Sequence, residues 1–332
     1  MFEIIRPGTQ IDFVGKRHLW IGISIISILA TIVLFFTKGL NYGIDFTGGA
    51  EVQVKVPESW DISKVRSAME ASSVKGTKVQ QIGEAASHQF LIKAQGDEKS
   101  LNLVSKQVEE ALGKTLKTGE FEIQKTDVVG PAAGSSLRTS GFLSMFYALL
   151  CILLYVSFRF DTRYSPGAVL ALFHDSVITL GVFIITQKQF DLQILAALLA
   201  LIGYSNNDTI IVYDRVRETL HQHPGLTIEQ GVNRAVNETL GRTILTSLCT
   251  FLTVFALWLF GGKVIEDFAF TLMVGIVVGT YSSIFIASSF VIYLTEYQQN
   301  RAAKLKISGG GKPTSVKRKS MPNVRPEPKF QP

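Results

Sequence analysis

Apolar residues in this chain gather into six long runs, near 19–37, 139–158, 164–187, 192–213, 243–262 and 268–295. Each is close to or above the ~20 residues an α-helix needs to cross a hydrocarbon core. Four of them hold no charged residue; the third holds His174-Asp175 and the fourth holds Asp208. Arg6, Lys16 and Arg17 precede the first run, as in a signal peptide. That run is too long for a cleavable apolar core and lacks an Ala-x-Ala site, so it reads as a retained anchor.

Between the first two runs, across 38–138, the period changes. Residues 51–56 alternate as a half-buried strand does. Asp61 is placed to cap a helix that runs to about residue 71 and carries Ile62, Val65 and Met69 on one face. Short strands are expected at 79–82 and 90–94. A second helix over 101–112 gathers Leu101, Val104, Val108 and Leu112 on one side, and 121–129 is a last strand. The order β-α-β-β-α-β is the ferredoxin-like arrangement. The expected fold is therefore a polytopic α-helical membrane protein of six transmembrane helices with an inserted ferredoxin-like α+β head.

Composition and charge sharpen this. Charged residues make up 18% of the chain and the net charge is +6; the charged share is low for a soluble domain. Short segments on one side hold Arg6, Lys16, Arg17, then Arg159 and Arg163, then Arg215, Arg217, Arg234 and Arg242, while the short loops opposite hold Lys188 and Lys263. Basic residues stay inside. This places an N-terminal segment 1–18, a loop 214–242 and a tail 296–332 in the cytoplasm, helices at 19–37 and within 139–295, and the 38–138 head outside. Residues 227–240 are amphipathic and fit a helix on the inner membrane surface. The tail is rich in Lys, Arg, Gly and Pro. It reads either as solvated and disordered or as a basic arm for anionic lipid or a ribosome-like partner. Cys151 and Cys249 lie in apolar runs and read as small core residues, not a disulfide.

Asp208 is the only charge in its run. A carboxylate at bilayer depth costs roughly 2.5–3.5 kcal/mol on insertion scales, so it is functional by default. Small and polar residues precede it: Gly203, Tyr204, Ser205, Asn206 and Asn207. Arg242 opens the fifth run on the same side and could pair with it, and protonation of Asp208 would break that pair. The plainer readings are a structural ion pair for Asp208 and a positive-inside anchor for Arg242. Asp175 falls within about two turns of the same depth, as a relay member or as a neutral acid bonded to helix backbone. His174 would point elsewhere and pack. Gly275, Gly279, Ser283 and Ala287 form a small-residue stripe, either an internal contact or a partner seam. No nucleophile–base pair, phosphate loop or metal-ligand spacing is found, which argues against enzyme chemistry.

Three motifs carry a family resemblance: Tyr42-Gly43-Ile44-Asp45-Phe46-Thr47-Gly48-Gly49 after the first run, Ile202 through Thr209 continuing to Asp214-Arg215-Val216-Arg217-Glu218, and Arg242-Thr243-Ile244-Leu245-Thr246-Ser247. In this order, over about 14–295, they resemble the SecF side of the SecD/SecF family of bacterial Sec protein-export membrane proteins. Asn206 departs from the apolar residue expected there. Within the head-base motif, Gly48 and Gly49 read as a tight turn and Asp45 as a hydrogen-bonding residue of that turn.

The resemblance implies one half of a transporter of resistance-nodulation-division type in the inner membrane. It implies a SecD-like six-helix partner, a SecYEG-type translocon and an unfolded polypeptide held by the periplasmic head. It implies no cofactor and no nucleic acid, with H+ as coupling ion and Na+ as the alternative. Asp208, Arg242 and Asp175 would then form the proton relay and its ion pair, with Arg242 as the pairing cation, beside the polar patch Tyr204, Ser205, Asn206 and Asn207. Two other readings are a proton-driven small-molecule exporter of the same superfamily and a non-transporting membrane scaffold.

Overall fold

The structure, a computed structural model, describes residues 10–72, 77–82, 87–95, 101–114, 116, 120–159 and 164–308. It divides into two units, Met1–Ile292 and Tyr293–Pro332. Among the described residues, six helices are long and apolar enough to cross a membrane. They are α1 (Arg17–Thr37), α5 (Pro131–Arg159), α6 (Ser165–Thr186), α7 (Leu192–Gln222), α8 (Ile228–Phe260) and a sixth span over Glu266–Arg301. The sixth is built from α9 (Glu266–Tyr281), a π-helical turn Ser282–Ala287 and the start of α10 (Ser288–Ser308). α6 and α7 form the buried centre of the bundle, whereas α1, α5 and α8 show broad apolar outer faces.

The head follows α1. A short helix α2 (Ile44–Thr47) leads into β1 (Gly49–Lys55), α3 (Ile62–Glu70), β2 (Lys78–Ile82), β3 (Gln89–Gln95), α4 (Leu101–Gly113) and β4 (Glu122–Val129). The sheet is antiparallel throughout, in the order β2-β3-β1-β4. That order is what β-α-β-β-α-β connectivity gives when the helices cross on one face. Alternation in β1 buries Val52 and Val54 against Val65 and Met69 of α3 and Val104, Val108 and Leu112 of α4. Asp61 caps α3 by accepting the Lys64 N–H at 2.9 Å.

Three elements differ from expectation. α8 is one continuous helix, so 228–240 is its inner extension and no separate surface helix exists there. Its amphipathic face packs within the protein: Val232, Ala235 and Val236 lie against Val212 and Val216 of α7 and Val14. Thr227 and Gln230 cap it reciprocally. Residues 296–308 are helical, so the expected disorder does not begin at 296, and 309–332 lie outside the described residues. Cys151 and Cys249 are exposed on the bundle's outside, not in its core.

The head is rooted on the membrane domain by glycines. Gly48 has φ +83° and ψ 151°, a conformation almost closed to other residues. A Cβ there would lie 2.9 Å from the backbone of Pro131 at the start of α5, and one on Gly134 would lie 2.9 Å from Gly48 N. Gly48→Ala should therefore cost about 1–3 kcal/mol and loosen the head. Chymotrypsin digestion of the purified protein should cleave faster near residue 48 in the variant than in the wild type.

Candidate functional site

α7 carries two polar positions three residues apart, Ser205 and Asp208, which meet two different neighbours. Ser205 Oγ donates to Asp175 Oδ2 of α6 at 2.6 Å. The same oxygen accepts from Ser282 Oγ, in the π-helical turn, at 2.8 Å. On the other side His174 Nδ1 lies 2.9 Å from Asp175 Oδ1, and Nε2 lies 3.1 Å from Ser24 Oγ of α1. An ionised carboxylate only accepts, so with Asp175 charged Nδ1 is the donor. Ser24 in turn bonds Tyr281 OH at 3.0 Å, and Tyr281 OH donates to Trp20 O. His174 and Asp175 are each 1% exposed.

His174 is therefore part of the site and not a packing residue. Adjacent helical side chains do not share a face, but the imidazole is long enough to reach the carboxylate beside it. Among the described residues, the Asp175 carboxylate is bonded to side chains of α6, α7 and the π-helical turn and not to helix backbone.

Asp208 has a sparser setting. Its Oδ2 accepts from Ser247 Oγ of α8 at 3.3 Å, and Ser247 Oγ accepts from Thr280 of α9 at 2.8 Å. The carboxylate is 2% exposed. Among the described residues, no ion pair joins it to Arg242, which is exposed on α8. Arg242 and Ser247 are separated by five positions, about 140° around a helix, so Arg242 acts on Asp208 through its charge at a distance and not through a direct contact. Tyr204 OH, Asn206 Oδ1 and Thr243 Oγ1 are buried without a hydrogen-bond partner. Asn207 and Gly203 are exposed on the outer side of α7.

The two carboxylate networks meet on α9 and its π-helical continuation, through Thr280 on one side and Ser282 on the other. This segment packs along α7 in register. Gly275 faces Leu201, Gly279 faces Ser205, Ser283 Oγ pairs with Thr209 Oγ1 at 2.9 Å, and Ala287 O accepts from Tyr213 OH at 3.1 Å. The offset is 74 residues in both hydrogen-bonded pairs. The small-residue stripe is thus an internal contact, and the expected role as a partner seam falls away.

Asp45 also acts outside its own turn. Its Oδ2 accepts from Leu192 N, at the first residue of α7, at 3.0 Å. Asp191 caps the same helix through Ile194 N. Burial raises the Asp191 carboxyl above the ordinary range, with the Ile194 N–H and Lys93 of β3 pulling the other way. Asn41 Nδ2 donates to Gln187 O, and Gly43 N and Phe190 N bond across the same loop. The Asp45-Gly48-Gly49 motif therefore ties the head to the start of the helix that carries Asp208. The sequence signal for this was available: an acid one turn before a glycine pair, just outside the first span.

A Cβ on Gly279 would stand 3.0 Å from the Ser205 side chain. Gly279→Leu should wedge α9 from α7 and break the Ser205–Asp175 bond, at about 1–3 kcal/mol of overpacking. A lower melting temperature in detergent checks this, and Gly22→Leu, which meets open space, is the control.

Comparison with known proteins bears on the whole chain. Residues 107–297 match the family model of the protein export membrane protein SecD/SecF, C-terminal, and residues 33–56 match that of the SecD/SecF GG motif. A protein translocase subunit SecF of Calditerrivibrio nitroreducens is 43% identical over 303 residues, covering 90% of this chain and 98% of that protein. The SecF of Helicobacter pylori strain J99 is 38% identical over 310 residues, covering 92% and 94%. The crystal structure of SecDF from Thermus thermophilus, a translocon-associated membrane protein, superposes with a TM-score of 0.73 at 33% identity. It covers 89% of this chain, while this chain spans 39% of that one.

Proposed function

The chain belongs to the SecD/SecF family of protein-export membrane proteins, and from that premise we propose that it couples proton entry at Asp208 to the late export of polypeptide. It is a multi-pass membrane protein and a transport subunit, not an enzyme. The single observation that carries the coupling is Asp208 itself. It is a buried carboxylate held by one long hydroxyl contact, with no ion pair to a cation among the described residues. Such a group is expensive when ionised and cheap when neutral. Its charge state can therefore bias which packing of α7, α8 and α9 is stable. A membrane potential contributes about 2.3 kcal/mol per charge per 100 mV, enough to tip states that differ by a few kcal/mol.

Transmission to the head is supported by the bond of Asp45 to Leu192 N, because α7 carries Asp208 at one level and the head root at its start. Polar positions without a protein partner, Tyr204, Asn206 and Thr243, sit within about a turn of Asp208 or Ser247 along their helices and suit a water-filled proton path. Arg242 would join Asp208 only through movement or through a second six-helix half. The face for that half is the outer side of α7, where Ala196, Ala200, Gly203 and Asn207 are exposed. Small residues allow close helix approach, and an amide at that depth favours a protein partner over lipid. A SecD-like subunit is the partner this face suits. The head would stand in the periplasm and hold emerging chain, beside a SecYEG-type channel in the inner membrane.

Asp208→Asn should abolish gradient-stimulated export of a precursor into membrane vesicles while insertion and partner binding persist. Unchanged export in that variant would remove the proton-switch reading. Arg242→Ala should also impair export, with Arg242→Lys restoring only part of it, since lysine lacks the forked geometry. Replacing the proton gradient by a sodium gradient should give no stimulation.

Orientation has its own test. Glu58 and Glu70 are exposed on the head. With Cys151 and Cys249 changed to alanine, Glu58→Cys and Glu70→Cys should react with an impermeant thiol reagent added outside intact cells. Labelling only after the cytoplasm is opened would reverse the topology.

A further inference from the structure

The bundle's outer surface carries a groove between α5 and α6 that none of the preceding chemistry uses. It has a volume of about 720 Å³ and is walled by Phe142, Leu150 and Leu153 of α5 and by Val169, Phe173 and Val177 of α6. Ser176 is the only polar side chain lining it, and its hydroxyl is already spent on Leu172 O. The volume falls in the range of about 300–1,000 Å³ typical of small-molecule sites. From Phe142 to Leu153 the groove runs about 16 Å down the helix at 1.5 Å per residue, roughly half of the ~30 Å hydrocarbon thickness.

At the head-side end it opens into a second hollow of about 470 Å³ lined by Tyr42, Arg138, Thr139 and Leu143, with Phe142 and Phe146 common to both. Arg138 sits one turn before Phe142. Its guanidinium lies 5.4 Å from the centre of the Tyr42 ring. Among the described residues no carboxylate pairs with it, and it is exposed. A cation at the rim of a dry, leaflet-long groove is complementary to one class of molecule, an amphiphile with an anionic head and an alkyl chain.

We propose that this groove holds one acyl chain of an anionic glycerophospholipid from the head-side leaflet, with its phosphate on Arg138 and Tyr42. A partner helix is the less fitting occupant. It would bury Arg138 without a counter-charge, and the small and polar face suited to a partner lies on α7 instead. The site also touches the head root. Phe142, one wall of the groove, stacks on Phe190 at 6.3 Å between centres, and Phe190 stacks on Phe46 at 5.6 Å. A bound lipid therefore braces the aromatic cluster on which the head stands.

The test uses the full chain purified with its partner subunit in detergent. Phosphatidylglycerol or phosphatidylcholine is added and retained lipid is counted by native mass spectrometry. The wild type should retain phosphatidylglycerol roughly tenfold better, about one charge-assisted contact. Arg138→Gln should remove that preference. Leu150→Trp, which fills the groove, should reduce retention of both lipids with Arg138 still present. Circular dichroism and gel filtration show that each variant is folded. Equal retention of the two lipids by the wild type, or an unchanged preference in Arg138→Gln, would overturn the proposal. So would full retention in Leu150→Trp, or a disulfide from Leu153→Cys to a cysteine on the partner, which would mean that protein fills the groove.

Discussion

A polar atom at the middle of this bundle needs a partner in the protein or in water held there, because hydrocarbon offers none. That single constraint organises the membrane domain. Asp175 meets it fully, with two serine hydroxyls on one oxygen and an imidazole on the other. Those bonds bring α6, α7 and the π-helical turn to one point, and His174 extends the network to Ser24 of α1. Asp208 meets it barely, with one hydroxyl at 3.3 Å. Two carboxylates on neighbouring helices thus have opposite characters. The first locks three elements together, and the second is left with little to lose on changing its charge. The glycines of α9 are the other half of the arrangement, since they let α9 lie close along α7, Gly275 against Leu201 and Gly279 against Ser205.

The π-helical turn Ser282–Ala287 belongs to the same logic. An extra residue in the turn rotates the helix beyond it, and such turns recur at functional sites. Here it faces Ser282 to Asp175 while Ser283 still meets Thr209.

Much of the architecture is legible from period alone. Runs of apolar residues mark the spans, and alternation in β1 with three- and four-residue spacing in α3 and α4 marks the head and its order of elements. Asp208 is legible because a lone charge in such a run has no ordinary explanation. What stays hidden depends on azimuth between helices, which no single run encodes. Arg242 stands near the right depth and acts on Asp208 through its charge, but makes no ion pair with it among the described residues. His174 escapes a reading by period because adjacency on a helix implies divergence, whereas a flexible ring can bend back. The α9 stripe could face inward or outward by its own spacing; the Leu201, Ser205, Thr209 and Tyr213 series on α7, in the same four-residue rhythm, is the cue to its true partner. Tail residues 309–332 lie outside the described residues.

The bond from Asp45 to the first amide of α7 has an experimental consequence of its own. The Leu192 N–H is at once the opening donor of the helix bearing Asp208 and the anchor of the head. Its proton can trade with deuterated solvent only when that anchor lets go. In a molecule of this size one backbone amide then acts as a clock for detachment, and its exchange lifetime measures how often the two parts of the machine come uncoupled.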